Sequence, residues 1–152
     1  MNPLVPLARQ LGGRSVRYVL IGVGGANHYA PGGSAVFVTD DHDLFLPLEP
    51  DNLVNCWAAC EASGLELWSG DEPLDSPRDR WLAEVDLTLV MKAYEFETVW
   101  QQRRHFTIEG IEVCVARLLH IVTSKHAAGR DKDKLFLATH REALEQLLKR
   151  ND

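Results

Sequence analysis

Two aspartates stand two residues apart in Thr39-Asp40-Asp41-His42-Asp43-Leu44-Phe45-Leu46. The stretch reads as a strand, and residues two apart on a strand share a face. Asp41 and Asp43 therefore point the same way, with Thr39 just ahead of them. Side-by-side carboxylates repel, and a fold keeps them where positive charge compensates, most often a metal ion. A third acid, Asp86, interrupts the apolar run Val85-Asp86-Leu87-Thr88-Leu89-Val90. Three strand-borne acids on one sheet face would make an oxygen-rich site, and oxygen donors favour Mg²⁺ over Zn²⁺. A lone Asp-x-Asp also suits a solvated strand end. The glycine turn upstream and Asp86 downstream tip the reading toward the metal.

Basic groups gather late in the chain, at Arg103, Arg104, Arg117, Lys125, Arg130, Lys132 and Lys134. Lys125 follows Leu118 by seven residues, so it extends a buried helical stripe, and a lysine placed so pairs with a carboxylate or a phosphate. Arg130 comes just after Gly129; Arg130-Asp131-Lys132-Asp133 also reads as a solvated helix start with local ion pairs. Gly24 and Gly25 would let backbone approach a ligand, with amides at a helix start attracting phosphate. Tight packing of helix on strand explains such glycines equally well. Cys56 and Cys60, four apart on a helix, read as small core residues. The six histidines show no metal-ligand spacing, and none pairs with a Ser or Cys nucleophile.

The elements that must position these groups follow from periodicity and breakers. A helix over Leu4–Leu11, stopped by Gly12-Gly13, precedes a central strand over Arg17–Ile21 and a glycine turn over Gly22–Ala30. Ala35–Val38 leads into the acid strand, which ends at Pro47. Asp51 caps a helix to Ser63 with Leu53, Val54, Trp57 and Cys60 as its buried stripe. A strand over Leu65–Trp68 precedes a charged loop over Gly70–Arg80, in which Arg78 and Arg80 are further cleft candidates. At Glu84–Val85 a helical turn meets a strand with no breaker between, which suggests a natural truncation or a missing loop. Next come a helix over Tyr94–Arg104, with Phe96, Val99 and Trp100 inward, and a hairpin over His105–Val115 about Glu109-Gly110. Helices over Ala116–Ala128 and Lys132–Arg150 close the chain, the last burying Leu137, Leu144, Leu147 and Leu148.

A strand, Gly24-Gly25, Asp41-x-Asp43 on a second strand and Asp86 on a third resemble the nucleotidyltransferase fold of DNA polymerase beta. With Ser124-Lys125-His126-Ala127-Ala128-Gly129-Arg130, the chain is similar over nearly its whole length to small bacterial nucleotidyltransferase-like proteins related to type IV toxin–antitoxin toxins. The resemblance implies an α+β (mixed α/β) fold with a small mixed sheet packed against helices. It implies a Mg²⁺-dependent transfer of a nucleoside monophosphate from a nucleoside triphosphate to a hydroxyl on an RNA end, a protein side chain or a small molecule. Asp41, Asp43 and Asp86 would be the catalytic metal ligands, and Gly24, Gly25, Lys125 and Arg130 would hold the nucleotide. A toxin–antitoxin partner protein is a further implied contact. The alternative is a non-catalytic nucleotide-binding or protein-interaction module of the same fold.

With 152 residues, the chain is long enough for one domain with a proper core. Its 45% apolar and 25% charged residues are ordinary for a globular protein. The net charge of −6 and the lack of a basic run argue against long duplex DNA as a partner. No apolar stretch reaches the ~18–20 residues of a membrane span and no signal pattern opens the chain, so a cytoplasmic location is expected.

Overall fold

A computed structural model of the chain describes residues 4–30, 37, 41–65, 68–69, 72–73 and 85–151, the two short pairs as backbone. The architecture is α+β. Thr39, Arg78, Arg80, Glu84 and most of the expected lead-in strand lie outside the described residues.

Helix α1 (Leu4–Gly13) precedes β1 (Val19–Ile21), and α2 (Gly22–Ala26) runs into a single 3₁₀ turn at Asn27–Tyr29. Strand β2 (His42–Phe45) leads to α3 (Pro50–Ala62), a small ribbon of β3 (Trp68–Ser69) and β4 (Glu72–Pro73), and β5 (Val85–Thr88). Then follow α4 (Phe96–Gln101), β6 (Arg104–Ile108), β7 (Ile111–Val115), α5 (Leu118–Ala128), α6 (Asp131–Thr139) and α7 (Arg141–Asn151). The main sheet has the order β5-β2-β1-β7-β6. Strand β1 is antiparallel to β2 and parallel to β7, β2 is parallel to β5, and β6 is antiparallel to β7. The central place expected for the apolar Val19-Leu20-Ile21 run is the one it holds, because only a strand buried on both faces tolerates such a run.

One buried cluster joins the helices to the sheet, with Leu4, Leu7 and Leu11 of α1, Leu20 of β1, Phe45 of β2 and Leu118 and Ile121 of α5. Several expected boundaries or faces differ; the strand expected over Leu65–Trp68 is Trp68–Ser69, and Glu72–Pro73 pairs with it where a loop was expected. In α3, Val54 and Trp57 are exposed, at 66% and 43%, while Asn52, Cys56, Ala59 and Cys60 face inward. The polar Asn52 sets that rotation, since its side chain accepts from the Arg17 N–H at 2.7 Å and donates to the Arg17 carbonyl at 3.0 Å. This clamps α3 to the entry of β1. Helix α4 stops at Gln101 because Arg104 is taken up by the β6–β7 ladder, and Arg103 Nη1 donates to the Trp100 carbonyl at 2.8 Å, satisfying a helix-end oxygen. The final helix is two helices that break at His140, whose ring packs edge-on against Phe37 at 4.9 Å.

Candidate active site

The acids come together through the register of three strands. Ile21 of β1 faces Asp43 of β2, and Asp43 faces Asp86 of β5. A parallel pair brings these two aspartates side by side although 42 residues intervene in the chain. The parallel register sets the Asp43 and Asp86 carboxylates beside one another, so their like charges repel. Burial pushes the Asp43 carboxyl up to about 6, helped by the neighbouring carboxylates of Asp86 and Asp41 and opposed by Lys125. Asp41 and Asp86 are exposed, whereas Asp43 is half-buried.

Asp43 lies on one wall of a cleft of about 300 Å³. Lys125, Arg130 and Ser124 on or beside α5 line it too, as do Gly22 and the turn carrying Met91 and Lys92. Among the expected site residues, then, Asp43, Lys125 and Arg130 meet at the cleft and Asp86 touches Asp43. Gly24 and Gly25 are buried under the sheet instead. A Cβ on Gly24 would come 2.6 Å from the Asp41 carbonyl oxygen, and one on Gly25 would come 3.0 Å from the Leu20 carbonyl oxygen. Close packing of α2 on β1 and β2 accounts for both. The glycine that meets the cleft is Gly22, at φ +69°, where a Cβ would overlap the Asp43 carboxylate.

Lys125 points inward as its spacing requires, and its side chain is 12% exposed. Its partner is Asp133, at 3.5 Å, a residue that is 1% exposed and that also accepts from Arg130 Nε at 2.6 Å and Arg130 Nη2 at 3.2 Å. Burial lowers the affinity of Lys125 for its proton, and the Asp133 charge partly restores it. Burial alone would raise Asp133, but the Arg130 hydrogen bond and the two cations hold it below the usual carboxylate range. Asp133 is thus the brace for both cleft cations, and sequence reading missed its burial by placing it on a solvated helix start. The available signal was Arg130-x-x-Asp133, the span across which an acid reaches back to the first amide of a helix, here at 3.3 Å.

Asp43 and Asp86 offer paired oxygen donors of the kind a hard divalent cation takes, whereas Asp41 is not drawn in: the three acids do not bring one oxygen each to within 4.8 Å of the others. Compared with known proteins, the chain matches no family model, no curated protein and no solved structure.

Proposed function

We propose that the chain is a Mg²⁺-dependent nucleotidyltransferase that moves a nucleoside monophosphate from a nucleoside triphosphate to a hydroxyl acceptor. The observation that carries this reading is the in-register pair Asp43 and Asp86, of which Asp43 lines the same cleft as Lys125 and Arg130. Asp41, Asp43 and Asp86 would hold the metal. The chemistry a bound Mg²⁺ supplies is neutralisation of the charge that builds on the α-phosphate and leaving pyrophosphate. Lys125 and Arg130 would add positive charge to the same cleft, aimed by Asp133 and therefore already ordered before substrate arrives. Asp86 would accept the proton of the attacking hydroxyl. Gly22 keeps the cleft floor open beside Asp43.

The acceptor class is an RNA end, a protein side chain or a small hydroxyl compound. Incubation with α-labelled nucleoside triphosphates and Mg²⁺, with each acceptor class in turn, should give label transfer that Asp43→Asn abolishes. A second reading, a non-catalytic nucleotide-binding or partner-binding module such as a toxin–antitoxin component, is favoured by the engagement of both cations with Asp133. Under it, Mg²⁺ and triphosphate together would raise the melting temperature beyond either alone without any transfer. Absence of both transfer and synergy would sink both readings.

A further inference from the structure

The far edge of the sheet carries a second cluster of donor atoms, on the β6–β7 hairpin. Val113 and Val115 are buried, and Phe106 and Ile108 pack on the same core. Strand alternation therefore puts His105, Thr107, Glu112 and Cys114 on the other face. The register pairs His105 with Cys114 and Thr107 with Glu112. Glu109 and Gly110 close the hairpin as a two-residue turn with φ of 50° and 79°, the arrangement whose twist suits a tight hairpin. Counted from that turn, His105 and Cys114 form a non-hydrogen-bonded pair, in which cross-strand side chains stand closest. In keeping with that, the Cys114 N–H donates to the Tyr18 hydroxyl, at 3.3 Å. His105 Nδ1 lies 2.8 Å from Glu112 Oε1 and 3.9 Å from Cys114 Sγ, and one donor atom from each residue lies within 4.8 Å of the others.

We propose that His105, Glu112 and Cys114 bind Zn²⁺ or a similarly thiophilic divalent cation. An imidazole nitrogen, a carboxylate oxygen and a thiolate sulfur are the donors Zn²⁺ takes, in a combination that Mg²⁺ does not favour. Neutral imidazole, carboxylate and thiolate together carry the two negative charges that cancel such an ion. Bond lengths of about 2.0–2.3 Å put tetrahedral donors roughly 3.5 Å apart, so the cluster closes on an ion by small rotations of side chains. His105 and Glu112 are exposed and have room to make them. Arg103, stacked on Trp100, places a positive charge near the same sulfur, which favours its thiolate. Three protein ligands leave the fourth position open to water or to a group from another molecule. No local spacing announces the site, because hairpin register assembles it.

The test is titration of the reduced 152-residue chain with Co²⁺ and then Zn²⁺. One Co²⁺ per chain should bind with near-ultraviolet thiolate-to-metal absorption, which Zn²⁺ competes away. Cys114→Ser should abolish that absorption. His105→Gln and Glu112→Gln should each weaken Zn²⁺ binding at least ~10-fold, since loss of even an outer-shell partner does as much. Far-ultraviolet dichroism should stay unchanged in all three. Asp43→Asn with Asp86→Asn should leave the Co²⁺ spectrum as it was, separating this site from the acid cleft. Absorption that survives both His105→Gln and Glu112→Gln undiminished would mark simple thiol capture and overturn the proposal. So would absorption kept in Cys114→Ser but lost when Cys56 and Cys60 are changed.

Discussion

The half-buried carboxyl of Asp43, beside Asp86, makes the cleft sensitive to pH. A carboxyl raised to about 6 in the folded chain binds more protons there than in the unfolded one. Its contribution to stability is fully present below the unfolded value near 4 and is lost as pH rises through 6. The metal-free protein should therefore melt lower at pH 7.5 than at pH 5, and Asp43→Asn should flatten that difference. Added Mg²⁺, which competes with the proton, should raise the melting temperature more at pH 7.5 than at pH 5. A Mg²⁺ response equal at both values would remove the acid pair from the metal site. Gly22 allows a second residue-level prediction. Its positive φ and its contact with Asp43 leave no place for a Cβ, so Gly22→Ala should lose about 1–3 kcal/mol in a urea melt. A neutral result would mean that the Asp43 side chain is free to swing away.

Between α5 and α6 one buried carboxylate holds two cations, and the two partners differ in what their loss should do. Lys125→Met keeps the aliphatic stem, and Asp133 retains Arg130, so stability should fall by only about 1 kcal/mol. Nucleoside triphosphate affinity should drop at least ~10-fold by calorimetry if Lys125 faces the phosphates, and equal affinity would remove it from the site. Asp133→Ala leaves Lys125 largely buried without its carboxylate and should cost nearer 3 kcal/mol, read from the same urea melt. The strands of the main sheet and α5 were legible because apolar runs and the Leu118–Val122–Lys125 spacing are strong local signals, whereas β4 falls where a loop was expected. Helix α3 was not read correctly, since apolar Val54 and Trp57 outweigh Asn52 in any hydrophobic pattern. What turned the helix was a pair of side-chain hydrogen bonds to Arg17, a non-local contact that periodicity does not carry. The break at His140 escaped for the same reason. A histidine is an acceptable helix residue until Phe37, about a hundred positions earlier, offers its ring.

Over the whole molecule, the sequence displayed which residues are acidic, basic or apolar but not which strands are neighbours. Asp41-x-Asp43 and Asp86 could be read as candidates; the parallel β2–β5 register that joins Asp43 to Asp86, and the β6–β7 register that joins His105 to Cys114, depend on pairing across the sheet. The net charge of −6 bears on function at this scale too. On the proposed function, triphosphate would be drawn in by Lys125, Arg130 and metal against an unfavourable overall field, so on-rates should rise modestly with salt in the absence of Mg²⁺. Stopped-flow measurements at several ionic strengths would check the sign. No helix among the described residues is long and apolar enough to cross a membrane.

The middle position of β1 has a consequence for how the chain acquires its shape. One neighbour, β2, is near in sequence, but the other is β7, whose Val115 pairs with Leu20 from roughly 95 positions away. Closing so long a loop must precede any gain from the contact, and Asp43 with Asp86 needs a further closure of its own. Refolding should accordingly run in milliseconds to seconds, not microseconds. Until β7 docks, the apolar edge of β1 stands open to other chains, and dilute conditions should favour recovery of the native fold.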